Sequence, residues 1–217
     1  MANLAREWAG FLRAVGVVLQ VVAGVMTFGS LFGIGLALAQ VYSPTFLALS
    51  VTALERTLRG IPAIVLLLVV YYLPWRLPPL FVAIAALGLC SSGYQSQIFR
   101  TALRSVRPGQ VEAGLALGLT RWQVLAHIVL PQAFRMAVGS LANEFSAQIK
   151  ETSLVYVVGV AEILRHARHI VAYSFGNSLL IYGFVALIYF VLTRTGNAFF
   201  HLVEQRLRIP GLGKPMI

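Results

Sequence analysis

Glu144, Gln148 and Glu151 stand at helical spacing inside a chain of 217 residues that is 59% hydrophobic and only 11% charged. Offsets of four and three place all three on one face of a helix. Ionisable groups in apolar surroundings need partners or water, so such a stripe can handle protons, receive a polar solute or tie helices together. Acid–base chemistry between the two carboxylates is poorly served, because seven residues separate them by about 10.5 Å along a helix axis. Reception of a solute suits the stripe better. The glutamates offer acceptors to an ammonium group, and Lys150, on a neighbouring stripe with Asn143 and Ser146 or Ala147, offers a donor to a carboxylate. A second polar cluster, Ser91, Ser92, Tyr94, Gln95, Ser96 and Gln97, places two amides and a phenol among small hydroxyls. The candidate lining of a solute path is therefore Tyr94, Gln95, Gln97, Glu144, Gln148 and Glu151, with Thr152 and Ser153 following on. The plainer alternative for the same residues is contact between helices.

These groups need apolar helices to position them. No Lys, Arg, Asp or Glu occurs at 14–54, 60–75, 77–99 or 169–193, and a membrane span needs about 20 apolar residues. A further segment, 136–160, is of span length but is interrupted by Glu144 and Lys150. The spacing predicts an all-α integral membrane protein of about five spans, near 14–41, 56–75, 78–103, 136–160 and 174–202. Residues ahead of 60 are expected to complete the short second span. The stretch up to Gly16, with Arg6, Glu7, Trp8, Phe11 and Arg13, reads as a retained interfacial amphipathic segment. Arg59-Gly60-Ile61-Pro62 reads as a structural turn into the second span, where Pro62 fits a first helical turn and Arg59 can hold a lipid phosphate or a helix C-terminus.

Between the third and fourth spans lies a polar-framed loop. Arg107-Pro108-Gly109 ends the preceding helix and opens a new one. The stretch from Gln110 to Leu117 favours a helix of about two turns that Gly118 can terminate. Thr120 and Gln123 form a capping-box pattern for the next helix. So short a helix needs another surface to dock on. Glu112, Ala113, Gly114 and Gly118, followed by Ile128, Leu130 and Pro131, carry the fixed spacings of this loop.

That spacing resembles the EAA loop of permease subunits from ATP-binding-cassette importers, the cytoplasmic segment that couples the membrane domain to its ATPase. Gly114 departs from the family, which usually has a second alanine there. Arg59, Gly60 and Pro62 resemble the Arg-Gly-Thr-Pro signature of the polar amino acid branch (histidine, glutamine and arginine type), with Ile61 for the threonine. Tyr94, Ile98 to Arg100, Ser105 to Gln110, Asn143 to Phe145 and Lys150 to Leu154 resemble further segments of that branch, over about Glu55 to Arg208. Gln97 stands where a glutamate is common and Glu144 where a glutamine is common. The resemblance implies a type I importer permease fold in one transmembrane domain, 1–217, with its coupling loop at about 104–135. It implies a transport subunit and no enzyme, which imports polar amino acids and binds no cofactor itself. ATP and Mg would be held by a partner ATPase. Further implied partners are a second permease subunit, identical or paralogous, an extracytoplasmic solute-binding protein, the amino acid and membrane lipid. The location implied is a prokaryotic inner membrane, crossed several times.

Charge and composition agree with that reading. The net charge is +10. With the loop inside, Arg56, Arg59, Arg100, Arg104, Arg107, Arg121, Arg135, Arg206, Arg208 and Lys214 fall on the cytoplasmic side, against Arg6, Arg13, Arg76, Arg165 and Arg168 outside. This asymmetry puts the N-terminus outside and the C-terminus inside, and anionic lipid accounts for the basic surface without nucleic acid. The sequence G-x-x-x-x-G-K-[ST] is absent and Lys occurs only at 150 and 214, which places ATP hydrolysis on another chain. Cys90 stands alone and the four histidines lie at no ligand spacing, so no metal is expected. Arg194 can snorkel to the cytoplasmic interface, Trp75 and Trp122 read as interface anchors, and the tail from Arg208 reads as a solvated terminus. The rival readings are an integral-membrane enzyme and a stand-alone secondary transporter or channel. Co-purification of an ATPase separates the first reading from both.

Overall fold

Helix follows helix throughout the computed structural model, which describes residues 7–74, 76–173 and 178–207. The first helix, α1 (Trp8–Tyr42), runs for 35 residues, about 52 Å at the usual rise. The stretch read as an interfacial amphipathic segment is helical from Trp8 and continuous with the first expected span, with Phe11 and Ala14 buried. On one side of these first turns the Phe11 ring meets His166 at 4.8 Å and Phe184 at 5.2 Å, both edge-on, while Trp8 and Leu12 stay exposed.

The second expected span is built differently from the single helix anticipated. Helix α2 (Thr45–Gly60) stops at Gly60, and α3 (Ala63–Tyr72) has only 10 residues, about half of the ~30 Å that a hydrocarbon core requires. Pro62 is the cause. It disfavours helical geometry at the residue before it, and Ile61 is extended at φ −84°, ψ 127°. Residues ahead of Gly60 therefore form a helix of their own, and both pieces lie along α4.

Helix α4 (Pro79–Arg104) packs most extensively against α1. Gly29 and Gly33, four residues apart on α1, permit this approach as small residues do in membrane helix pairs. A Cβ on Gly33 would lie 3.0 Å from the Ser96 backbone nitrogen. After α4 come the short α5 (Pro108–Ala116) and α6 (Arg121–Val124), a π-helical turn at Leu125–Val129, and α7 (Leu130–Glu151). Pro131 at the start of α7 has no N–H for the i→i−4 ladder, and the wide turn stands directly before it. A 3₁₀ stretch, Thr152–Val158, ends at left-handed Gly159 (φ 96°). Helices α8 (Ile163–Tyr173) and α9 (Ser178–Leu207) complete the described chain.

Among the described residues, Trp8–Tyr42, Arg121–Val158 and Ser178–Leu207 are long and apolar enough to cross a bilayer. Three apolar clusters join the elements. One links α1, α3, α4 and the 3₁₀ stretch, a second links the N-terminal part of α1 to α8 and α9, and a third links the C-terminal part of α1 to α4 and the α6–α7 region. Arg6, Trp75, and the tail from Arg208, which includes Lys214, lie outside the described residues.

Candidate functional site

Tyr94 and Gln97, one turn apart on α4, face Asn143 and Glu144 on α7 across a cleft of about 490 Å³. Its other end is formed by Thr101 of α4, Ser105 just past that helix, and Met136 and Ser140 of α7. Polar side chains recur on both walls at i, i+3 and i, i+4 positions, with Ile98, Ala102 and Met136 between them, a lining that can receive a solute with both polar and apolar parts. The Glu144 carboxylate is buried at the back of this cleft, where it accepts hydrogen bonds from Ser91 Oγ at 2.6 Å and Gln148 Nε2 at 2.9 Å. The same Gln148 amide donates to Glu151 Oε2 at 3.2 Å. The three-residue face anticipated on α7 thus forms a connected row in which an amide bridges two carboxylates. That arrangement holds charge in place and leaves the two acids without the mutual contact an acid–base pair requires.

The structure brings Tyr94, Gln97 and Glu144 together around open space and leaves other candidates behind them. Gln95 is fully buried between α1 and α4, accepting from Ser30 Oγ at 2.6 Å and donating to Ser91 Oγ at 2.9 Å. Gln148 and Thr152 are buried too, and Thr152 donates to the Ile149 carbonyl at 2.6 Å. Ser153 donates to the Lys150 carbonyl at 2.7 Å, while Lys150 is exposed. Ser146 bonds across to Asn197 of α9 at 2.6 Å, which makes it a helix-to-helix tie.

Arg59 is half-buried and forms an ion pair with Glu55, one turn earlier on α2. Its Cζ lies 5.9 Å from the Tyr94 ring centroid, so α2 reaches the edge of the cleft. Gly93 permits that contact, since a Cβ there would stand 3.0 Å from Arg59 Cγ and 3.2 Å from the Glu55 carbonyl oxygen. Glu55 escaped the sequence reading, although its i, i+4 relation to Arg59 is the legible sign of such a pair. Glu162 escaped it as well. Fully buried directly before α8, it accepts from the Leu164 and Arg165 backbone N–H groups, each at 2.7 Å, and from Tyr189 Oη at 2.8 Å. Burial pushes its carboxyl above the usual range despite these bonds. An acid preceding a helix start was the available signal.

The loop between α4 and α7 takes the form its spacing predicts. Helix α5 ends at Ala116, Gly118 follows at φ +83°, and its N–H reaches the Leu115 carbonyl at 3.0 Å. Thr120 and Gln123 close a reciprocal capping box, with Gln123 N–H donating to Thr120 Oγ1 at 3.3 Å and Thr120 N–H to Gln123 Oε1 at 2.8 Å. Glu112 and Ala113 are exposed, Leu130 is half-buried and Pro131 is exposed. Gly114 is buried where α5 leans on the next helix, and a Cβ there would meet Ile128 Cδ1 at 2.7 Å and Val124 Cγ2 at 3.0 Å. The glycine in place of alanine accordingly fits a closer approach. Leu117 and Trp122 are 83% and 78% exposed, and Tyr42, Val111 and Leu115 border an apolar groove of about 440 Å³ beside them. Apolar side chains presented this openly around so short a helix make a surface for another molecule.

Residues 29–209 match the family described as binding-protein-dependent transport system inner membrane component. The chain is similar to the glutamine transport system permease protein GlnP of Escherichia coli (strain K12), at 35% identity over 158 residues, 70% of this chain and 72% of that one. It is 34% identical over 184 residues to the L-cystine transport system permease protein TcyB of Bacillus subtilis (strain 168), covering 83% and 79% of the two chains. Among solved structures, the crystal structure of an amino acid ABC transporter with histidines superposes with a TM-score of 0.84 at 29% identity, over 94% of this chain and 97% of that one. An inward-facing structure of the MetNI methionine ABC transporter shares the fold, with a TM-score of 0.82 at 18% identity over 94% and 99% of the chains.

Proposed function

Because the chain belongs to the family of binding-protein-dependent transport system inner membrane components, and is thus the permease subunit of an ABC importer, we propose that it carries polar amino acids. The observation that bears most weight is the cleft between α4 and α7, with Tyr94 and Gln97 on one wall and the tethered Glu144 on the other. The relatives named for glutamine and L-cystine transport support this substrate class. In this reading Tyr94, Gln97 and Glu144 meet the solute, Gln148 and Glu151 hold Glu144 in place, and Gln95, Thr152 and Ser153 support the surrounding helix contacts.

The chain forms one membrane domain, 1–217, of five spans, the second being the broken α2–α3 pair. The N-terminus lies outside and the C-terminus in the cytoplasm of a prokaryotic cell. Glu112, Ala113, Gly114, Gly118, Leu130 and Pro131, within a loop at about 104–135, meet an ATPase subunit that binds ATP and Mg. A second permease subunit encloses the path and an extracytoplasmic binding protein delivers the amino acid. Closure of the ATPase on ATP pushes α5, and α7 carries the movement to the cleft.

Purification of the assembled transporter followed by competition for uptake in proteoliposomes tests this. An ATPase should co-purify, and glutamine, cystine or arginine should compete for uptake better than glutamate. Absence of an ATPase would overturn the coupling assignment, and preference for glutamate or aspartate would overturn the substrate class.

A further inference from the structure

A second cleft, of about 420 Å³, opens between α2 and α4 and is lined by four arginines. Arg56 and Arg59 stand three residues apart on α2, and Arg100 and Arg104 stand four apart on α4, so two basic helix faces meet. The one carboxylate of the lining, Glu55, is buried and paired with Arg59. Arg56, Arg100 and Arg104 have no carboxylate within ion-pair distance among the described residues. Three positive charges are thereby left facing one space. Like charges at helical spacing repel, and guanidinium forks match tetrahedral and planar oxyanions two bonds at a time. Thr101 and Gln97 add neutral donors to the same wall.

Position decides which oxyanion. Helix α4 has 26 residues, about 39 Å, and outreaches a ~30 Å hydrocarbon core. Arg100 and Arg104 occupy its final turns, next to the loop that begins at Ser105, and in the five-span arrangement proposed above, on which this inference rests, those turns lie at the depth of headgroups. Basic pockets between membrane helices at that level suit anionic headgroups. We propose that the α2–α4 cleft, which shares Gln97, Thr101 and Ser105 with the α4–α7 cleft but alone carries the four arginines, binds the phosphate of an anionic phospholipid headgroup.

The assembled transporter, delipidated and reconstituted in nanodiscs of phosphatidylcholine with or without phosphatidylglycerol, tests this by mass spectrometry of the lipid it retains. Wild type should retain phosphatidylglycerol over phosphatidylcholine. The double variant Arg100→Gln with Arg104→Gln should retain about thirtyfold less, which corresponds to ~2 kcal/mol for two charges at a membrane surface. Arg206→Gln, an exposed charge in the last turn of α9, should retain it normally. Arg100→Lys with Arg104→Lys should keep most of it and shows that the fold survives substitution there. Equal retention by wild type and the Gln variant would overturn the proposal. Displacement of the lipid by inorganic phosphate, without preference between the two phospholipids, would also overturn it and assign the cleft to a free anion.

Discussion

Gly118 separates two roles that a coupling-loop glycine can have. Its φ of +83° is a left-handed conformation that costs an ordinary L-residue about 1–2 kcal/mol and costs Asn or Asp less. Among the described residues, a Cβ built on it meets no atom within 4 Å beyond its own chain neighbours. Within the chain alone, substitution is therefore a purely conformational matter. If Gly118 only terminates α5, then Gly118→Asn and Gly118→Asp should be milder than Gly118→Ala, which at ~1.4 kcal/mol per tenfold would populate the correct loop geometry roughly fivefold to thirtyfold less. If the position must also admit a partner's surface, the order reverses. Alanine then keeps partial function, while Asn and Asp, larger and polar at an apolar contact, lose it. We expect the reversed order, with Gly118→Asp abolishing substrate-stimulated ATPase activity while the subunits still assemble. The assay is ATP turnover of the reconstituted transporter with and without substrate, beside gel filtration of the complex. Normal stimulation by Gly118→Asp at normal assembly would refute the docking role.

Glu144→Gln should weaken uptake of lysine-like or arginine-like substrates about tenfold more than glutamine, since a charge-assisted bond contributes roughly 1.5–3 kcal/mol; unchanged uptake of every substrate would make Glu144 a packing residue. Gly33→Val should lower the thermal midpoint of the purified complex, because its Cβ lies 3.0 Å from a backbone nitrogen that has no rotamer to yield, an overpacking cost of about 1–3 kcal/mol. Glu162→Ala removes the acceptor of two backbone N–H groups and Tyr189, each left unsatisfied at about 1–3 kcal/mol; Glu162→Gln keeps a carbonyl oxygen and should restore most of the lost thermal stability, and equal losses would refute the acceptor role. In a Cys90→Ala background, Gln110→Cys should resist an impermeant thiol reagent in intact cells and Arg168→Cys should react, whereas labelling at position 110 would invert the proposed topology.

Local rules carried the loop from sequence to structure. The α5 terminator at Gly118 and the Thr120–Gln123 capping box depend on neighbours within four residues, so the linear pattern contains them. Glu144, Gln148 and Glu151 were readable for the same reason, as helical periodicity alone aligns them. The fate of Gln95 was not readable, because its partners Ser30 and the Gly29–Gly33 surface come from a helix more than 60 positions away in the chain. The second span failed at Pro62. One helix was expected over 56–75, yet the backbone constraint of one proline on Ile61 ends a helix at Gly60 and a second begins at Ala63. Hydropathy averages over a window and cannot register a single missing N–H. The packing of Phe11 was not readable either, since its partners His166 and Phe184 come from the distant α8 and α9.

The π turn at Leu125–Val129 stores a spare residue between two surfaces with different tasks. Upstream lie α5 and α6 with their exposed apolar groups, and downstream lies α7 with Glu144. Each residue added to or taken from a helix rotates everything beyond it by about 100°, which would ordinarily turn one surface away from its counterpart. A wide turn can absorb such a change by tightening to an α turn or forming anew. A change of one residue at this point can therefore be taken up with the two surfaces still in phase and each intact.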